Sequence, residues 1–433
     1  MNYIETKITS DNINVCEKLL EYSQYFDISC ILNSNSQFYP VSHFFLNTKY
    51  DLIAGFSTGT DDNYSLVNYS DLDSLNDNKH RWYLGYLTYD IKNHIENLTS
   101  GNMDNHNWPE IFFFQPEILF LVKQNRLTVL ERCPEKRLLD KYQNINPCKE
   151  NPTEFDLQLT HRLKKKEYCE NVCQLQKHIQ RGDIYEVNYC HEFYAKHKIN
   201  PYSSYLVLNN RSPAPFSAFL KLREHYLLSA SPERFLKKEK NILYSQPIKG
   251  TAPRGFNIET DEEIRKQLSE SIKEQSENTM IVDLVRNDLS KIAKRNSVKV
   301  NELHGIYAFP QVHQMISTIS ATLNTNSFKE IIKATFPMGS MTGAPKVQAM
   351  KHIEDFENVK RGLYSGSVGY ISPEGDFDLN VVIRSLQYNA HSHYISYMTG
   401  SAITALSSAE NEYEECLMKV YGISNSLQSV RYA

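Results

Sequence analysis

The sequence predicts an α+β fold, because strands and helices alternate irregularly along its 433 residues and the strands often come in pairs. Apolar residues recur at helical spacing over Lys165–Gln180, and Gly182 follows as a suitable helix terminator. Runs of β-branched and aromatic residues between turn signals predict strands, for example at Tyr226–Ser229 and Tyr394–Met398. This pattern disfavours a regular parallel sheet, which would need strands and helices in strict alternation.

Two further helices begin at sequences typical of a capping box. Thr260–Glu263 is followed by apolar residues at helical spacing, which predicts a helix running on towards Ile292. Ser407–Glu410 opens a second helix that continues to Val420. Further strands are predicted at Tyr185–Tyr189, Ser365–Ile371 and Asp378–Tyr388.

Composition limits the classes of function. The 47 basic and 51 acidic residues give a net charge of −4, so no basic excess indicates nucleic-acid binding. The most apolar run, Ile111–Val122, is interrupted by polar residues and is too short to span a membrane. The eight cysteines form no metal-binding or disulfide pattern, and the first residues do not resemble a signal peptide. We therefore expect a cytoplasmic protein that binds neither nucleic acid nor membrane.

The chain divides into two regions that differ in composition and in their number of motifs. Residues 1–150 are rich in Asn, Asp, Tyr and Phe and hold few chemical motifs, whereas residues 151–433 hold many. The stretch Cys133–Thr153 between them is predicted to be a surface connection. We expect the chemistry of the protein to reside in 151–433.

Four carboxylates stand in two matching pairs. Glu274 and Glu277 are three residues apart on one predicted helix, and Glu412 and Glu415 repeat this spacing on another, so each pair shares a helical face. If the two faces met, they would offer the oxygen ligands that magnesium prefers. Spacing alone leaves open an ordinary alternative, in which both pairs are solvated helix surface.

Two short strings predict acid–base and nucleophilic chemistry. Lys249 lies between Ile248 and Gly250, where desolvation would lower the pKa of its amine and free it as a nucleophile. Glu233 could act as a general acid if burial kept it protonated. The alternatives are an exposed lysine beside a turn glycine and a glutamate paired with Arg234.

Two other regions are candidates for binding carboxylates. The glycines of Phe336–Lys346 could let backbone N–H groups approach an anion, or they could form only a tight turn. Arg384 could bind a carboxylate through both arms of its guanidinium, with Tyr364 and the small residues Gly400–Ala402 beside it. An arginine on a strand is more often a surface residue, so that alternative stays open here.

Taken together, these strings resemble those of the chorismate-utilising enzymes. The matching segments occur in the family's order and span roughly residues 155–425: Gly182–Asn188, Ser231–Phe235, Pro247–Thr251, Met280–Asp288, His313–Thr318, Gly343–Lys346, Gly362–Gly366 and Glu412–Glu415. The resemblance implies a layered α/β/β/α fold, in which two β-sheets pack orthogonally with helices outside. It also implies that residues 1–150 belong to the same layered body and that 151–433 form the chorismate-binding catalytic region.

The resemblance further implies roles for individual residues. Magnesium would be held by Glu277 and Glu415, with Glu274 and Glu412 close by or acting through water. The ring carboxylate of chorismate would contact Thr251, Gly400 and Ala402, and its enolpyruvyl carboxylate would contact Arg384 and Tyr364. The catalytic residues would be Lys249, Glu233, Glu186 and His313.

Lys249 indicates the branch of the family. Pro247–Thr251 resembles the aminodeoxychorismate branch, whose lysine would attack C2 of chorismate before ammonia attacks C4, whereas other branches carry alanine at this position. Glu186 disfavours the branches of the family that add water, because those carry lysine at this position. Members that add ammonia usually carry glutamine there, so the glutamate is a departure from the pattern. Glu186 could orient or deprotonate ammonium. The chain has no glutaminase string, so we expect a separate glutamine amidotransferase subunit to supply ammonia. The alternatives are an anthranilate synthase component and an inactive binding subunit.

Overall fold

The computed structural model describes residues 4–9, 12–39, 48–59, 64–77, 81–124, 126–132, 134–145 and 159–427. Its α-helices are α1 (Asn12–Ser23), α2 (Ser74–Asp77), α3 (Lys92–Ile95), α4 (Leu138–Gln143), α5 (Lys165–Arg181), α6 (Pro201–Arg211), α7 (Ile258–Glu270), α8 (Ile272–Ser290), α9 (Phe328–Thr335), α10 (Lys346–Phe356) and α11 (Ala409–Leu427). Among the residues described, no helix is long and apolar enough to cross a bilayer.

The strands of the first half are β1 (Ile4–Thr9), β2 (Ile28–Asn33), β3 (Leu52–Ser57), β4 (Tyr64–Leu66), β5 (Tyr83–Leu87), β6 (Ile111–Phe114), β7 (Ile118–Lys123), β8 (Arg126–Glu131), β9 (Thr160–His161), β10 (Glu186–Lys196) and β11 (Phe216–Leu222). Those that follow are β12 (His225–Ser231), β13 (Arg234–Glu239), β14 (Ile242–Gln246), β15 (Ile248–Pro253), β16 (Lys299–Ala308), β17 (Val312–Thr322), β18 (Gly343–Ala344), β19 (Ser367–Ile371), β20 (Phe377–Asn380), β21 (Ser385–Asn389) and β22 (Tyr394–Ile403).

In the described part of the chain these strands form two antiparallel sheets. Sheet 1 has twelve strands in the order β1-β8-β7-β3-β2-β11-β12-β21-β22-β10-β18, with β9 beside β10. Sheet 2 has ten strands in the order β15-β17-β14-β13-β20-β19-β5-β6-β4, with β16 beside β17. Strands from either side of residue 150 are neighbours in both sheets, because β2 pairs with β11 and β5 pairs with β19.

The sheets and helices form layers. Leu119 and Leu220 of sheet 1 share one buried core with Leu84 and Phe112 of sheet 2, so the inner faces of the sheets pack against each other. Alternate residues of each strand point outwards and pack under helices, chiefly α1 and α6 on sheet 1 and α8 and α9 on sheet 2. The predicted α+β class and its α/β/β/α layering are confirmed.

The prediction of a single helix from Thr260 towards Ile292 is wrong, because the chain forms two helices there. The N-cap of α7 is Asn257, and Thr260 is the last member of the capping box rather than its first. α7 ends before Ser271, whose hydroxyl accepts a hydrogen bond from the backbone N–H of Glu274 at 3.4 Å and starts α8. A serine that bonds the backbone in this way favours a new helix start over continuation.

The single strand predicted at Asp378–Tyr388 is also wrong. β20 ends at Asn380 in sheet 2, and β21 begins at Ser385 in sheet 1, so the intervening residues carry the chain from one sheet to the other. Arg384 lies in this crossover with a φ of 52°. The other predicted strands are present, and β10 and β22 are longer than predicted because each pairs along most of the other.

The predicted surface connection at Cys133–Thr153 holds only in part. Within it, α4 buries Leu138 and Tyr142 in the core beneath sheet 1. Residue 133 and residues 146–153 lie outside the described residues.

Candidate active site

A cavity of about 510 Å³ is bordered by β10, β15, β22, α8 and α11. Its size is typical of a pocket for a small molecule. Every predicted site residue except Glu186 and His313 lines it: Lys249, Glu233, Thr251, Tyr364, Arg384, Gly400, Ala402, Glu274, Glu277, Glu412 and Glu415. The cavity lies where the chain passes between the sheets, since β10 and β22 belong to sheet 1 and β15 belongs to sheet 2.

Strand β15 carries Lys249 and Thr251 into the cavity from the edge of sheet 2. Gly250 lies between them with a φ of 97°, a conformation that strongly favours glycine. A Cβ atom at Gly250 would come within 3.1 Å of Glu274 Oε2. The glycine therefore allows α8 to pack closely on β15 and bring its carboxylates near Lys249.

Lys249 forms a buried ion pair with Glu186, the first residue of β10. Lys249 Nζ donates to Glu186 Oε1 at 2.9 Å, and the two side chains are 11% and 1% exposed. Burial alone would lower the pKa of Lys249, but the carboxylate of Glu186, with those of Glu277 and Glu415, outweighs burial and raises the pKa. This direction is opposite to the lowered lysine pKa expected from the sequence.

Glu233 occupies the short link between β12 and β13, where the chain leaves sheet 1 for sheet 2. Its side chain is buried, and Ser340 Oγ donates to its Oε1 at 2.7 Å. Burial raises the pKa of Glu233 to about 7 in spite of that hydrogen bond. Arg234 pairs with Asp378 at 2.8 Å instead, which rules out the alternative of a Glu233–Arg234 pair.

The four predicted metal-site glutamates reach the cavity from two helices. Glu274 and Glu277 lie on α8, and Glu412 and Glu415 lie on α11. Burial, reinforced by neighbouring carboxylates, raises the pKa of Glu274, and it raises that of Glu277 to about 7. Burial acts in the same direction on Glu415, but Lys419, 2.7 Å away, outweighs it and lowers the pKa.

This donor set fits a hard divalent cation such as magnesium, because all of the ligands are carboxylate oxygens. The raised pKa values show buried negative charge that a cation would stabilise. Among the described residues, no three of these carboxylates bring oxygens within 4.8 Å of one another. Water and substrate oxygens would therefore complete the coordination of a cation here.

A second cluster of metal-ligating types lies at the end of α5. His178, Asp183 and His352 bring ligand atoms within 4.8 Å of one another. Arg181 donates to His178 Nδ1 at 2.7 Å and to Asp183 at 3.1 Å. The guanidinium already supplies positive charge at this point, so we assign no metal to the cluster.

Arg384 and Tyr364 also border the cavity. Arg384 is half-buried in the crossover between the sheets, which distinguishes it from an ordinary surface arginine. On β22, Gly400 pairs with Cys190 of β10, and Ala402 follows on the same strand. A Cβ atom at Gly400 would be 2.4 Å from Cys190 Sγ, so close packing of the two strands requires glycine.

The segment Phe336–Lys346 places β18 against the start of β10. Ala344 and Gly343 pair with Glu186 and Val187. A Cβ atom at Gly343 would lie 2.1 Å from the carbonyl oxygen of Glu186, so only glycine permits this approach. The glycine thus serves strand pairing, which neither the anion-site nor the tight-turn interpretation anticipated.

His313 does not line the cavity. Its ring is 1% exposed on β17, and its Nε2 lies 2.9 Å from Asp261 Oδ1, while Asp261 also accepts hydrogen bonds from Arg254. This network ties α7 to the strand beside β15. The geometry gives His313 a positioning role, and its catalytic assignment stays a prediction.

Arg361 is a site residue that the sequence interpretation missed. It is 1% exposed and donates to the carbonyl oxygens of Met341 at 2.7 Å and Asn188 at 2.9 Å, both of which line the cavity. Glu357 neutralises it at 2.6 Å. The available signal was its position directly before the Gly362–Gly366 string, although a lone arginine carries no sign of burial.

Comparisons with known proteins give matches in both sequence and fold. The profile of the family described as chorismate binding enzyme matches residues 30–425. The chloroplastic aminodeoxychorismate synthase of Arabidopsis thaliana is 43% identical over 80% of this chain, which spans 40% of that protein's length. Aminodeoxychorismate synthase component 1 of Escherichia coli is 34% identical over 80% of this chain and 76% of that protein. The solved structure of the menaquinone-specific isochorismate synthase of Escherichia coli superimposes with a TM-score of 0.78, covering 98% of this chain and 95% of the synthase. The two sequences are 15% identical, so this likeness supports the fold alone.

Proposed function

The chain belongs to the family of chorismate-binding enzymes, and on that basis we propose that it converts chorismate and ammonia to 4-amino-4-deoxychorismate, a precursor of 4-aminobenzoate and folate. The observation that carries the proposal is the position of Lys249. Its side chain lines the same cavity as Glu233 and the four glutamates, although the sequence alone allowed an exposed lysine beside a turn. A lysine there can form a covalent bond with a substrate held between these groups.

Chorismate has two carboxylates, and the cavity offers two matching regions. Arg384 and Tyr364 would bind the enolpyruvyl carboxylate, and the side of the cavity formed by Thr251, Gly400 and Ala402 would bind the ring carboxylate. Magnesium, held by Glu277 and Glu415 with Glu274 and Glu412 direct or through water, would supply positive charge to neutralise the ring carboxylate. The site would then hold the ring close to Lys249.

The reaction proceeds in two displacements. Lys249 passes a proton to its partner Glu186 and attacks C2 as the C4 hydroxyl leaves, and Glu233 donates the proton that makes the leaving group water. The near-neutral pKa of Glu233 suits this role, because a useful fraction of the acid is protonated at neutral pH. Ammonia then attacks C4 and expels Lys249 as a neutral amine, which takes its proton back from Glu186, while the new amine gives up one proton that restores Glu233.

Mass spectrometry of the intact protein tests the covalent step. Incubation with chorismate and magnesium, with ammonia withheld, should add a chorismate-derived mass to the peptide that contains Lys249. Lys249→Arg should form no adduct and make little product, because a guanidinium stays protonated and is a poor nucleophile. Near-normal 4-amino product from Lys249→Arg would remove the nucleophile assignment, and release of the 2-amino isomer by the wild type would favour the anthranilate alternative.

Ammonia would come from a separate glutamine amidotransferase subunit, since the sequence has no glutaminase string. Ammonium salts should therefore support the reaction of the purified chain, while glutamine should not. Product formed from glutamine by the pure protein would contradict this. The cytoplasmic location remains a prediction from the sequence.

A further inference from the structure

Both hydrogen-bond donors that reach the carboxyl group of Glu233 bind the same oxygen atom. Ser340 Oγ donates to Glu233 Oε1 at 2.7 Å, and the backbone N–H of Ile248 donates to that oxygen at 3.5 Å. Among the described residues, none donates a hydrogen bond to Glu233 Oε2. Glu233 is 3% exposed, so these contacts rather than bulk water make its two oxygens different.

The count of donors and acceptors favours an acidic proton on Oε2. A protonated carboxyl group offers one O–H donor and one C=O acceptor, and a backbone N–H can only donate. If Oε1 carried the proton and donated it to Ser340 Oγ, the hydroxyl hydrogen of Ser340 would lose the acceptor described for it, and the N–H of Ile248 would point at an O–H group. With the proton on Oε2, Oε1 is the C=O oxygen and accepts from both donors.

The backbone of Glu233 is held independently of Ser340. Its N–H donates to Ser231 Oγ at 3.3 Å, and its carbonyl oxygen accepts from the N–H of Val381 at 2.9 Å. Ser340 comes from another segment, the short turn of helix Gly339–Met341 that follows α9. A change at Ser340 therefore acts on the carboxyl end of Glu233 and leaves its backbone contacts in place.

The charged groups near Glu233 do not take the place of Ser340 as a donor. Lys249 acts on Glu233 across the cavity and favours its ionised form, but its hydrogen bond goes to another carboxylate. Asp288 of α8 lines a small cavity beside Glu233 and forms ion pairs with two lysines. Arg234 pairs with Asp378.

We propose that Ser340 is a positioning residue that fixes the acidic proton of Glu233 on Oε2 and stabilises the carboxylate once that proton has left. This inference rests on the proposed function, in which Glu233 protonates the leaving hydroxyl. The bond between the proton and Oε2 breaks as the proton bonds to the C4 oxygen, and the electron pair of the C4–O bond leaves with that oxygen as water. The proton that the new amine later gives up returns to Oε2, while Oε1 keeps its hydrogen bond from Ser340 throughout.

The pH dependence of turnover tests the role of the hydroxyl. Its hydrogen bond lowers the pKa of Glu233, so Ser340→Ala should raise that pKa. The fall of kcat/KM above about pH 7 should then move to higher pH by about one to two pH units, the shift equivalent to one hydrogen bond to a charged group. At about pH 6 the variant should have a kcat/KM roughly 3- to 10-fold below that of the wild type, because the acid is weaker and its proton is not confined to one oxygen.

Two further serine variants separate this role from a structural one. Ser340→Thr keeps the hydroxyl and should restore the pH at which kcat/KM of the wild type falls. Ser231→Ala removes a buried serine that bonds the backbone of the same glutamate, so it should lower Tm without moving that pH. A loss of kcat/KM in Ser340→Ala that is equal at every pH would overturn the proposal.

Infrared spectroscopy of the free wild-type protein tests the position of the proton without turnover. The C=O stretching band of protonated Glu233 is the band that Glu233→Gln removes, and hydrogen bonds to Oε1 should place it below the frequency of a carboxylic acid whose C=O is free. A band at the free-carbonyl frequency would contradict a proton on Oε2. If the band lies where we expect but neither the lysine adduct nor the 4-amino product forms, the proposed function is wrong, while the hold of Ser340 on the carboxyl group stands.

Discussion

Single residues at this site owe their ionisation to burial and to one or two neighbours. Glu186 holds Lys249 as an ammonium, and burial keeps Glu233 able to retain a proton near neutral pH. Turnover therefore begins with two protonated groups that must behave in opposite ways. Lys249 has to lose its proton before it can attack, whereas Glu233 has to keep its proton until the hydroxyl leaves.

Replacing the acid should separate its chemistry from its structural role. Glu233→Gln should lower kcat by roughly 10²- to 10⁴-fold, because an amide cannot protonate the leaving hydroxyl. Because Lys249 passes its proton to Glu186 within the site, its ionisation adds no pH dependence in this range, and kcat/KM of the wild type should fall as the pH rises above about 7, where Glu233 loses its proton. A kcat/KM that does not change between about pH 6 and pH 9 would argue against Glu233 as the acid.

The same group makes stability depend on pH. Its pKa in the folded chain, about 7, exceeds its ordinary value of 4.5, so the unfolded chain ionises first as the pH rises. The contribution of Glu233 to the free energy of unfolding is intact below pH 4.5. It falls by about 3 kcal/mol as the pH rises to about 7. The Tm of the wild type should therefore fall relative to that of Glu233→Gln as the pH rises from 4.5 to about 7. A difference in Tm that stays constant over this range would contradict the burial of an ionisable acid at this position.

At the scale of elements, the starts of two helices bring charge to the cavity. The break at Ser271 starts α8 immediately before Glu274, and α11 starts at Ala409, three residues before Glu412. Glu274 and Glu412 thus lie in a first turn, where the helix dipole favours negative charge, and Glu277 and Glu415 lie one turn further along the same faces. The helices are rigid supports, so the four carboxylates enter the cavity at fixed positions.

Removing one of these carboxylates should have opposite effects with and without magnesium. Glu277→Gln should raise Tm in a chelator, because it removes buried negative charge next to Glu274, and it should abolish most of the Tm rise that magnesium gives the wild type. Calorimetric titration with magnesium should show the same loss of binding. Glu270→Gln, at the exposed end of α7, is the control and should respond to magnesium as the wild type does. A magnesium response that survives Glu277→Gln would exclude this glutamate as a ligand.

For the whole molecule, the division at residue 150 does not coincide with a gap in either sheet. β2 pairs with β11 over six residues, from Ile28↔Leu222 to Asn33↔Ser217, and β5 pairs with β19 in the other sheet. Cutting the chain at 150 would leave β11 and β19 as long apolar edges and open the core between the sheets. We therefore expect residues 151–433 to depend on the N-terminal strands for their folding.

A fragment of residues 151–433 should accordingly fail to fold alone. We expect it to be recovered as aggregate, or as a species without near-ultraviolet circular dichroism, whereas co-expression with residues 1–150 should restore a compact complex. Size-exclusion chromatography and circular dichroism would check both arms. A monodisperse fragment that binds chorismate would show that 151–433 is an independent domain.

The sequence by itself determined what depends on neighbours along the chain. α5 follows from the apolar spacing that begins at Tyr168 and ends at Gly182, and the layered class follows from paired strands between such helices. Eleven of the residues that line the cavity were also identifiable, because each belongs to a string whose residue types suit one chemical task, as Lys249 and Glu233 do. These features are local, so they survive in the sequence pattern.

Only the tertiary structure decided how those groups act on one another. Glu186 and Lys249 are 63 residues apart and lie in different sheets, and their contact raises the pKa that local sequence predicted to fall. Nothing in the sequence indicated that Arg361 would be buried. Asp378–Tyr388 was predicted as one strand because both of its parts suit a β-sheet, although they belong to different sheets. Burial and charge pairing depend on which distant residues come into contact in the fold. The electrostatic energy of a site therefore depends on the distances between those residues and cannot be inferred from one segment of the sequence.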